Sequence, residues 1–508
     1  MIREDWAETI YKKIVYKIPT NKLRLKQKEY LSEGQFPIVD QGQPLIGGFT
    51  NEKSRILDCE LPVVVFGDHT KAVKLITFPF VPGADGTKVL TPHKYVLPKY
   101  LAFLTKVLVH KIIDKGYARH YQHIEKQIFP IAPLPEQRAI VAKIEQLFSD
   151  LDNGITDLKK AQEQLKIYRQ AVLKKAFEGE LTKEWREKQT NLPTADELLA
   201  QIKEERQKYY DKQLADWKIA LKEWEKNGEI GKKPSKPKSL KQLSSLTSGE
   251  KQKIPIFATW DWVKIDAITG FKTSSIKAGP FGSSLKKSFY KKSGYKIYGQ
   301  EQVISGNPFF GDYYVDKEKF EELINCSVLA NDILISLVGT VGKVLILPAN
   351  CKIGIINPRL VKVTLNQFYD SKFFKNYFES SFLKSMYKDK NHGTTMDVLN
   401  LGIIQELPFP LCSLKEQKQV VLEIESRLSV CDKVEQTITE SLEKAVALRQ
   451  SILKKAFEGR LLSETELAAC KKEKDYEPAS ELLKKIKAEK LKEKMGTTKT
   501  LDSASSAE

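Results

Sequence analysis

The segments that come nearest to known catalytic motifs each lack a required residue. Methyl transfer to an exocyclic amine of a base calls for an Asn/Asp-Pro-Pro-aromatic loop, but Asn357-Pro358 continues into arginine and leucine. A P-loop needs the pattern G-x-x-x-x-G-K-[ST], whereas the glycines of residues 339–344 have the wrong spacing and no hydroxyl follows their lysine. Asp85-Gly-Thr-Lys88 could form part of a metal-dependent nuclease site only with a second, suitably spaced carboxylate. We therefore expect no catalytic residue in this chain.

Metal binding is not expected either. His69, His120 and His123 are not spaced as a pair of ligands on one helix face. The six cysteines are scattered without a C-x-x-C pair, which excludes a zinc motif and a disulfide framework and is typical of a reducing compartment. The sequence shows no signal peptide and no run of about 18 apolar residues, so we expect a cytoplasmic protein with no membrane contact.

Lysines interleaved with aromatic and polar residues indicate a different chemistry, namely contact with phosphates and base edges. The chain carries 83 Lys and Arg against 65 Asp and Glu, a formal net charge of +18, which favours a polyanionic partner. The candidate DNA-binding residues are Lys71, Lys115, Tyr117, Arg119, His120, Lys277, Lys286, Lys287, Lys291, Lys292, Asn391 and Thr394. The alternative for each of them is an ordinary solvated loop.

An internal repeat organises the elements that must position these residues. Residues 136–181 return as residues 416–461 at a constant offset of 280, and both copies close on Leu-Lys-Lys-Ala-Phe-Glu-Gly. A second pair of segments, 195–203 and 479–487, repeats at an offset of 284. The chain is therefore one unit written twice, in which a variable domain precedes a long helix and a shorter charged helix.

The repeated block has the heptad pattern of helices that pack knobs into holes. The residues predicted to pair the helices are Ile144, Leu151, Leu158, Leu165 and Val172 in the first copy and Ile424, Ile438, Leu448 and Ile452 in the second. One helix cannot bury its apolar stripe alone, and the nearest partner is its duplicate, packed antiparallel about an approximate two-fold axis. Gly179 and Gly459 are placed to end the two helices.

The positive charge is concentrated in the variable domains. Residues 1–135 carry 20 basic and 13 acidic side chains, and residues 256–412 carry 19 basic and 14 acidic side chains.

Both variable domains show strands followed by helix-like segments, which predicts small mixed α/β domains. The expected fold class is α+β, with two mixed domains, two long antiparallel coiled-coil helices, a tandem repeat and pseudo-two-fold symmetry. The predicted boundaries are 1–135 for the first variable domain, 136–181 for the first long helix, 182–255 for a charged helix and flexible linker, 256–412 for the second variable domain, 413–461 for the second long helix, and 462–508 for a charged helix and disordered tail.

Several of these motifs together resemble a known family. They are Pro133-Leu-Pro-Glu-Gln137 and Leu414-Lys-Glu-Gln417 at the helix starts, the two Lys-Lys-Ala-Phe-Glu-Gly closures, and the variable-domain segments 39–44, 65–69, 83–86 and 278–285. Over nearly its whole length the sequence resembles the specificity subunits of type I restriction-modification systems.

The resemblance implies a non-catalytic subunit of a restriction endonuclease and adenine methyltransferase complex. Each variable domain would be a target recognition domain that reads one half of a split double-stranded DNA site, and the helices would fix the spacer between the halves. Two methyltransferase subunits that use S-adenosylmethionine would dock on the chain, and restriction subunits that use ATP and Mg²⁺ would join to cut. The chain itself would hold no cofactor.

Two other readings of the sequence stay open. The chain could be an enzyme with an unrecognised fused methyltransferase or nuclease activity. It could also be a coiled-coil interaction protein without sequence-specific DNA binding.

Overall fold

The architecture is taken from a computed structural model that describes residues 3–112, 119–251, 254, 259–388 and 399–505. The chain forms two compact units, one of Met1–Lys160 with Thr437–Glu508 and the other of Ala161–Gln436. Each unit contains one variable domain, named head 1 (residues 3–133) and head 2 (residues 259–412) below.

The strands of the two heads follow one another in chain order. In head 1 they are β1 (Ala7–Ile10), β2 (Val15–Ile18), β3 (Phe36–Val39), β4 (Gly48–Thr50), β5 (Val63–Gly67), β6 (Val73–Ile76), β7 (Val81–Pro82), β8 (Thr87–Pro92) and β9 (Ile128–Ile131). In head 2 they are β10 (Asp261–Val263), β11 (Ile276–Ala278), β12 (Tyr295–Tyr298), β13 (Tyr314–Val315), β14 (Ser327–Val328), β15 (Ile333–Ser336), β16 (Val344–Ile346), β17 (Gly354–Ile356), β18 (Leu360–Val363) and β19 (Phe409–Leu411).

The helices range from single turns to rods of 44 residues. They are α1 (Pro98–His110), α2 (Tyr121–Ile124), α3 (Leu134–Phe177), α4 (Lys183–Glu187), α5 (Ala195–Lys226), α6 (Ser248–Lys251), α7 (Ile265–Ile268), α8 (Gln300–Ser305), α9 (Lys317–Glu322), α10 (Ser371–Phe378), α11 (Ser381–Lys388), α12 (Leu401–Gln405), α13 (Leu414–Phe457), α14 (Glu464–Cys470) and α15 (Ala479–Ser505). Within the described residues, no helix has an apolar stretch long enough to cross a membrane.

The two heads share one topology despite their different sequences. Head 1 has a four-stranded sheet in the order β2-β8-β5-β6, and head 2 has the matching order β11-β18-β15-β16. A second sheet follows in each, β4-β3-β7 and β13-β12-β17-β14, in which β3 pairs parallel with β7 and β12 pairs parallel with β17. A short antiparallel pair, β1 with β9 and β10 with β19, joins the first and last strands of each head. The expected α+β fold is confirmed.

Apolar residues on both faces of the central strand hold each head together. In head 1, Val64 and Phe66 face a core shared with α1, while Val63 and Val65 face a second core on the other side of the sheet. This division follows from the two-residue period of a strand. It also explains why β5 is a continuous apolar run with every residue buried, as a strand covered on both faces requires.

The long helices α3 and α13 end as the sequence predicts. Gly179 and Gly459 follow their last turns with φ of 69° and 71°, a left-handed conformation that glycine adopts without steric cost. The amide of Glu180 then donates to the carbonyl of Lys175, and the amide of Arg460 donates to the carbonyl of Lys455, which closes the C-terminal turn in the same way.

Within each unit the repeated helices pack antiparallel. In the first unit Lys143 on α3 pairs with Glu466 on α14, which follows α13. Asp152, further along α3, pairs with Arg449 on α13, which comes earlier in the chain than Glu466. In the second unit Arg169 pairs with Asp432 at 2.7 Å. Arg186, on α4 after the end of α3, pairs with Glu416 near the start of α13, also at 2.7 Å. The partner of the residue further along the chain thus comes earlier on α13, as antiparallel packing requires.

The predicted seam is buried mainly where each helix meets a head. Ile144 and Ile452 belong to the core of head 1, and Val172 and Ile424 belong to the core of head 2. Ile438 is also buried, whereas Leu151, Leu158 and Leu165 are only partly buried. Leu448 departs from the prediction, because 48% of its surface is exposed. Its neighbour Arg449 instead covers the ring of Phe148, with the guanidinium 4.9 Å from the ring centroid.

The segment after α5 differs from the flexible linker that its composition predicts. Trp217 donates its indole N–H to the carbonyl of Pro234 at 3.0 Å, and Trp224 donates to the carbonyl of Gly231 at 3.3 Å. The ammonium groups of Lys233 and Lys236 lie over the rings of Trp224 and Trp217. Residues 227–238 therefore return along α5 instead of leaving it.

A buried Glu-Gln pair joins each long helix to its head, but the two glutamates have different surroundings. Glu136 accepts a hydrogen bond from the indole of Trp6 at 2.7 Å, and burial raises the pKa of its carboxyl group. Glu416 accepts from the hydroxyl of Thr182 at 3.0 Å and from the guanidinium of Arg186 at 2.7 Å. The second copy thus compensates its buried charge with a direct cation, and the first copy does not.

We expect Glu416→Gln to lower the free energy of unfolding by about 1.5–3 kcal/mol at pH 7, because it removes a charge-assisted hydrogen bond inside the fold. Glu136→Gln should cost less than about 1 kcal/mol, because the amide oxygen still accepts from Trp6 and no buried charge remains. Thermal and denaturant unfolding of the two variants measures the difference.

The pH dependence of the free energy of unfolding tests the raised pKa of Glu136 separately. A carboxyl whose folded pKa is raised contributes stability below its ordinary pKa and loses that contribution as the pH rises through the folded pKa. The Glu136→Gln variant should lack this decline, which begins as the pH rises above the ordinary glutamate pKa of about 4.3. Equal destabilisation by Glu416→Gln and Glu136→Gln would contradict the assignment of a charge-compensating cation to Glu416 alone.

Candidate nucleic-acid interface

Parallel strand pairs bring two loops to one edge of each head. Because β3 and β7 run parallel, their carboxyl ends meet, and the amide of Gly83 donates to the carbonyl of Val39 at 2.8 Å. In head 2 the equivalent pair is β12 and β17, where the amide of Asn357 donates to the carbonyl of Tyr298 at 2.9 Å. The loops that begin at Asp40 and Gly83, and at Gly299 and Asn357, are therefore held side by side.

A third loop joins them from the other sheet. In head 1 it follows β5, and the amide of Asp68 donates to the carbonyl of Gly86 at 2.8 Å. In head 2 it follows β15, and the amide of Leu337 donates to the carbonyl of Arg359 at 3.0 Å. We call these loops the edge loops: residues 40–47, 68–72 and 83–86 in head 1, and residues 299–302, 337–343 and 357–359 in head 2.

A fourth segment closes the edge in both heads. The amide of His120 donates to the carbonyl of Asp68 at 2.9 Å, and the amide of Leu399 donates to the carbonyl of Leu337 at 3.0 Å. The predicted contacts Lys115 and Tyr117 precede His120, and Asn391 and Thr394 precede Leu399. These four residues lie outside the described residues, and the equivalent hydrogen bonds place the segments that follow them at the same point of each edge.

In head 1, the buried carboxylate of Asp68 and the half-buried carboxylate of Asp40 hold the backbone of the edge loops. Asp68 accepts a hydrogen bond from the amide of Tyr121 at 2.8 Å, and its other oxygen lies 3.3 Å from the ammonium group of Lys88. Asp40 likewise accepts from the amide of Gly42 at 2.8 Å. These contacts give the loops defined positions, which base-edge recognition requires.

The predicted basic residues of head 1 lie on this edge. Lys71 is half-buried in the loop after β5 with a φ of 60°, and Arg119 is exposed next to the buried His120. The pKa of the Asp85 carboxyl is lowered, first by the hydrogen bond from the amide of Gly86 and then by nearby cations that include Arg119. The structure therefore brings Lys71, Arg119 and His120 together.

In head 2 the predicted lysines are all exposed. Lys277 lies on β11, and Lys286, Lys287, Lys291 and Lys292 occupy the segment between β11 and β12. A cavity of about 710 Å³ opens beside Lys277, lined also by residues 278–282, Leu337 and Pro358.

Tyr290 ties the lysine segment to the edge loops of head 2. Burial raises the pKa of its hydroxyl, Glu301 raises it further, and Arg359 opposes the change. The phenol thus lies within electrostatic range of two edge-loop residues. Arg359 is exposed and was not among the residues predicted from the sequence, because nothing in the sequence marks which loops meet at the edge.

Head 1 has an equivalent of the lysine segment that the sequence prediction missed. Residues 25–34 (LKQKEYLSEG) match residues 285–294 (LKKSFYKKSG) at leucine, lysine, tyrosine and glycine. Both tyrosines follow a single 3₁₀ turn and precede an isolated β-bridge, Leu31 with Phe49 and Lys291 with Tyr314. The hydroxyl of Tyr30 accepts from the amide of Ala84, an edge-loop residue, at 2.9 Å. The repeat could have been found by aligning the heads with each other, and it adds Lys26 and Lys28 to the candidate residues.

Both edges offer donors and acceptors of the kinds that read bases. Gln41 and Gln300 occupy the same position after β3 and β12, and each contacts the third loop, Gln41 at the amide of His69 and Gln300 at the carbonyl of Val338. Among the described residues, no group of three or more His, Cys, Asp or Glu is arranged to hold a metal ion.

Comparisons with known proteins agree with this geometry. Residues 279–444 match the family described as the type I restriction modification DNA specificity domain. The type I restriction enzyme EcoDI specificity subunit of Escherichia coli is 23% identical over 502 residues, which cover 96% of this chain and 95% of that protein. The EcoBI specificity subunit of the same organism is 22% identical over 369 residues, covering 72% of this chain and 65% of that protein.

The fold is also that of a solved structure. A chain from a study of complex assembly and conformational transition of the type I R-M system superposes with a TM-score of 0.53 at 15% identity, covering 91% of this chain and all of that one. The chain is thus similar over nearly its whole length to type I restriction enzyme specificity subunits, and residues 279–444 match the DNA specificity domain of that family.

Proposed function

We propose that the chain reads a split DNA site, with the edge loops of head 1 on one half and those of head 2 on the other. The observation that carries the proposal is the repeated edge: four segments are joined by the same backbone hydrogen bonds in both heads, while the side chains on them differ. A constant frame with variable polar side chains suits sequence recognition, in which the frame positions the protein and the side chains choose bases.

The lysine segments serve the part of binding that does not depend on sequence. Lys286, Lys287, Lys291 and Lys292 in head 2, with Lys26 and Lys28 in head 1, are exposed beside the edge loops. Cations in such positions release counterions from phosphates and set the register of the protein on the duplex.

The long helices set the distance between the half-sites, and the same chain carries the other subunits. We propose two methyltransferase subunits that use S-adenosylmethionine, and restriction subunits that use ATP and Mg²⁺, as the partners of this chain. The names of the relatives and of the solved structure, a type I complex, support this assembly. The charged helices α5 and α15 also pack against the heads, because Leu198 and Ile202 lie in the core of head 2 and Leu482 and Ile486 in that of head 1.

The direct test is to map methylated adenines across the genome with and without this gene. A bipartite motif that disappears with the gene supports the proposal. Purified chain should then bind a duplex with that motif more tightly than a random duplex. Methyl transfer from S-adenosylmethionine to DNA by the chain alone would instead favour a fused enzyme, and equal binding of the two duplexes would favour an interaction protein.

We expect the double substitution Lys286→Gln and Lys287→Gln to weaken binding of cognate and random duplexes alike. Removing two phosphate contacts should reduce the slope of log K against log salt by about 1.8. The measurement is fluorescence anisotropy over a range of salt concentrations. A matched control removes the same charge from the end of α13, Lys454→Gln with Lys455→Gln, and should leave the slope unchanged. A slope unaffected by the first pair would exclude these lysines from the interface.

We expect the removal of one heptad from each long helix to shorten the unspecified spacer and leave both half-sites unchanged. The segments to remove are 152–158 and 443–449, which are opposite each other because Asp152 pairs with Arg449. Seven residues at about 1.5 Å each correspond to about 10 Å of helix, or about three base pairs of duplex.

Methylated-adenine mapping in cells that carry the shortened chain reads the new motif. Removing 152–158 alone serves as the control, because it leaves the facing helix unmatched and should abolish the motif. An unchanged spacer in the doubly shortened chain would show that the helices do not set the distance.

A further inference from the structure

One large apolar side chain of head 2 faces solvent at the tip of a turn. Phe281 is 89% exposed, the highest value of any large hydrophobic residue in the part of the chain that the structure describes. It stands in the sequence Gly-Pro-Phe-Gly directly after β11. An exposed aromatic ring leaves a large apolar area in water, which is a cost that contact with a partner removes.

The backbone holds this turn firmly in place. The amide of Gly279 donates to the carbonyl of Leu360 at 2.9 Å, and the amide of Ser284 donates to the carbonyl of Phe281 at 2.8 Å. A Cβ atom at Gly279 would lie 1.9 Å from the carbonyl oxygen of Asn357, so this close approach requires glycine. The backbone of the turn that carries Phe281 is thus held in one conformation.

The surroundings of Phe281 suit a nucleic acid better than another apolar surface. Lys277, Lys286 and Lys287 are exposed on either side of the turn in sequence. The ring itself lines the cavity that reaches Leu337 and Pro358 in the edge loops. An apolar ring flanked by cations matches a duplex, in which stacked bases lie between two rows of phosphates.

Head 1 has a polar turn at the same position. Its turn follows β2, which pairs with β8 as β11 pairs with β18. Counting back from the matched Leu25 and Leu285, Asn21 takes the place of Phe281. Asn21 is exposed as well. The two heads therefore present the same turn with opposite chemistry.

We propose that Phe281 inserts against the base stack of the half-site that head 2 reads, and that head 1 makes no such contact. The inference rests on the proposed function and adds a residue to it. An apolar wedge unstacks a base step and makes binding depend on how easily that step deforms. Head 2 would then recognise its half-site partly through DNA deformability, and head 1 through polar contacts alone.

The test compares three variants of the full-length chain on the cognate duplex found by methylated-adenine mapping. Phe281→Asn installs the residue of head 1, Phe281→Trp keeps a large ring, and Ile230→Ala removes another highly exposed apolar residue, 83% exposed in the segment after α5. Phe281→Asn should bind the cognate duplex about ten-fold or more weakly, since it removes the stacking of an aromatic ring on a base. The slope of log K against log salt should stay the same. Phe281→Trp should restore binding, and Ile230→Ala should not change it.

2-Aminopurine placed through each half-site provides a readout that a purely structural role would not move. Its fluorescence rises when a base is unstacked, and we expect a rise in one half-site only, lost in Phe281→Asn and kept in Phe281→Trp. Wild-type affinity of Phe281→Asn for the cognate duplex, or unchanged 2-aminopurine fluorescence, would overturn the inference. Weaker binding of methyltransferase subunits with unchanged DNA binding would also overturn it, because the turn would then be a protein contact. A wild-type chain that fails to prefer the cognate duplex would refute the proposed function instead.

Discussion

Each long helix is fixed to its head by a glutamine side chain that is fully buried. The amide of Gln137 accepts a hydrogen bond from the backbone of Leu97 at 3.1 Å and donates to the carbonyl of Ala132 at 2.9 Å. Gln417 makes the same contacts with Asp370 at 2.7 Å and Cys412 at 2.8 Å. A buried amide left without these partners would be costly, so the helix can begin in only one orientation relative to the strand before it. The proposed contact of the edge loops with DNA requires that each head be held in a fixed orientation on its long helix.

The repeated elements could be predicted from the sequence because their physics is local. The heptads and the terminal glycines predict the bounds of α3 and α13 to within a few residues. The Leu-Leu pattern of residues 195–203 and 479–487 predicts that the charged helix occurs twice, as α5 and α15. Leu448 shows the limit of this reasoning. It has the correct spacing, but the cation of Arg449 covers Phe148 and the leucine stays exposed. Heptad spacing alone does not determine which of two neighbouring side chains packs against the facing helix.

The site was harder to predict because it depends on contacts between distant segments. Nothing local in the sequence shows that Asp68 binds the backbone at Tyr121, or that Leu337 binds the backbone of Arg359. Lys71, Arg119 and the lysines of head 2 were predicted from their local sequence composition and stay predictions. Lys26 and Lys28 follow from aligning the two heads with each other, whereas Arg359 is a candidate only because the structure places its loop at the edge. The segment after α5 gave the opposite error, since its proline and lysine content favours a flexible linker while two tryptophans hold it against the helix.

We propose that the edge loops of the two heads face different halves of one DNA site. Lys71 and Lys343 occupy the loops after β5 and β15 and allow a matched test. A cysteine introduced at either position carries a photoreactive group, and the complex is bound to its cognate duplex. The group at position 71 should crosslink to DNA in one half-site, and the group at position 343 should crosslink in the other half-site. Crosslinks from both positions to the same half-site, or to neither, would show that the two heads do not read separate halves of the site.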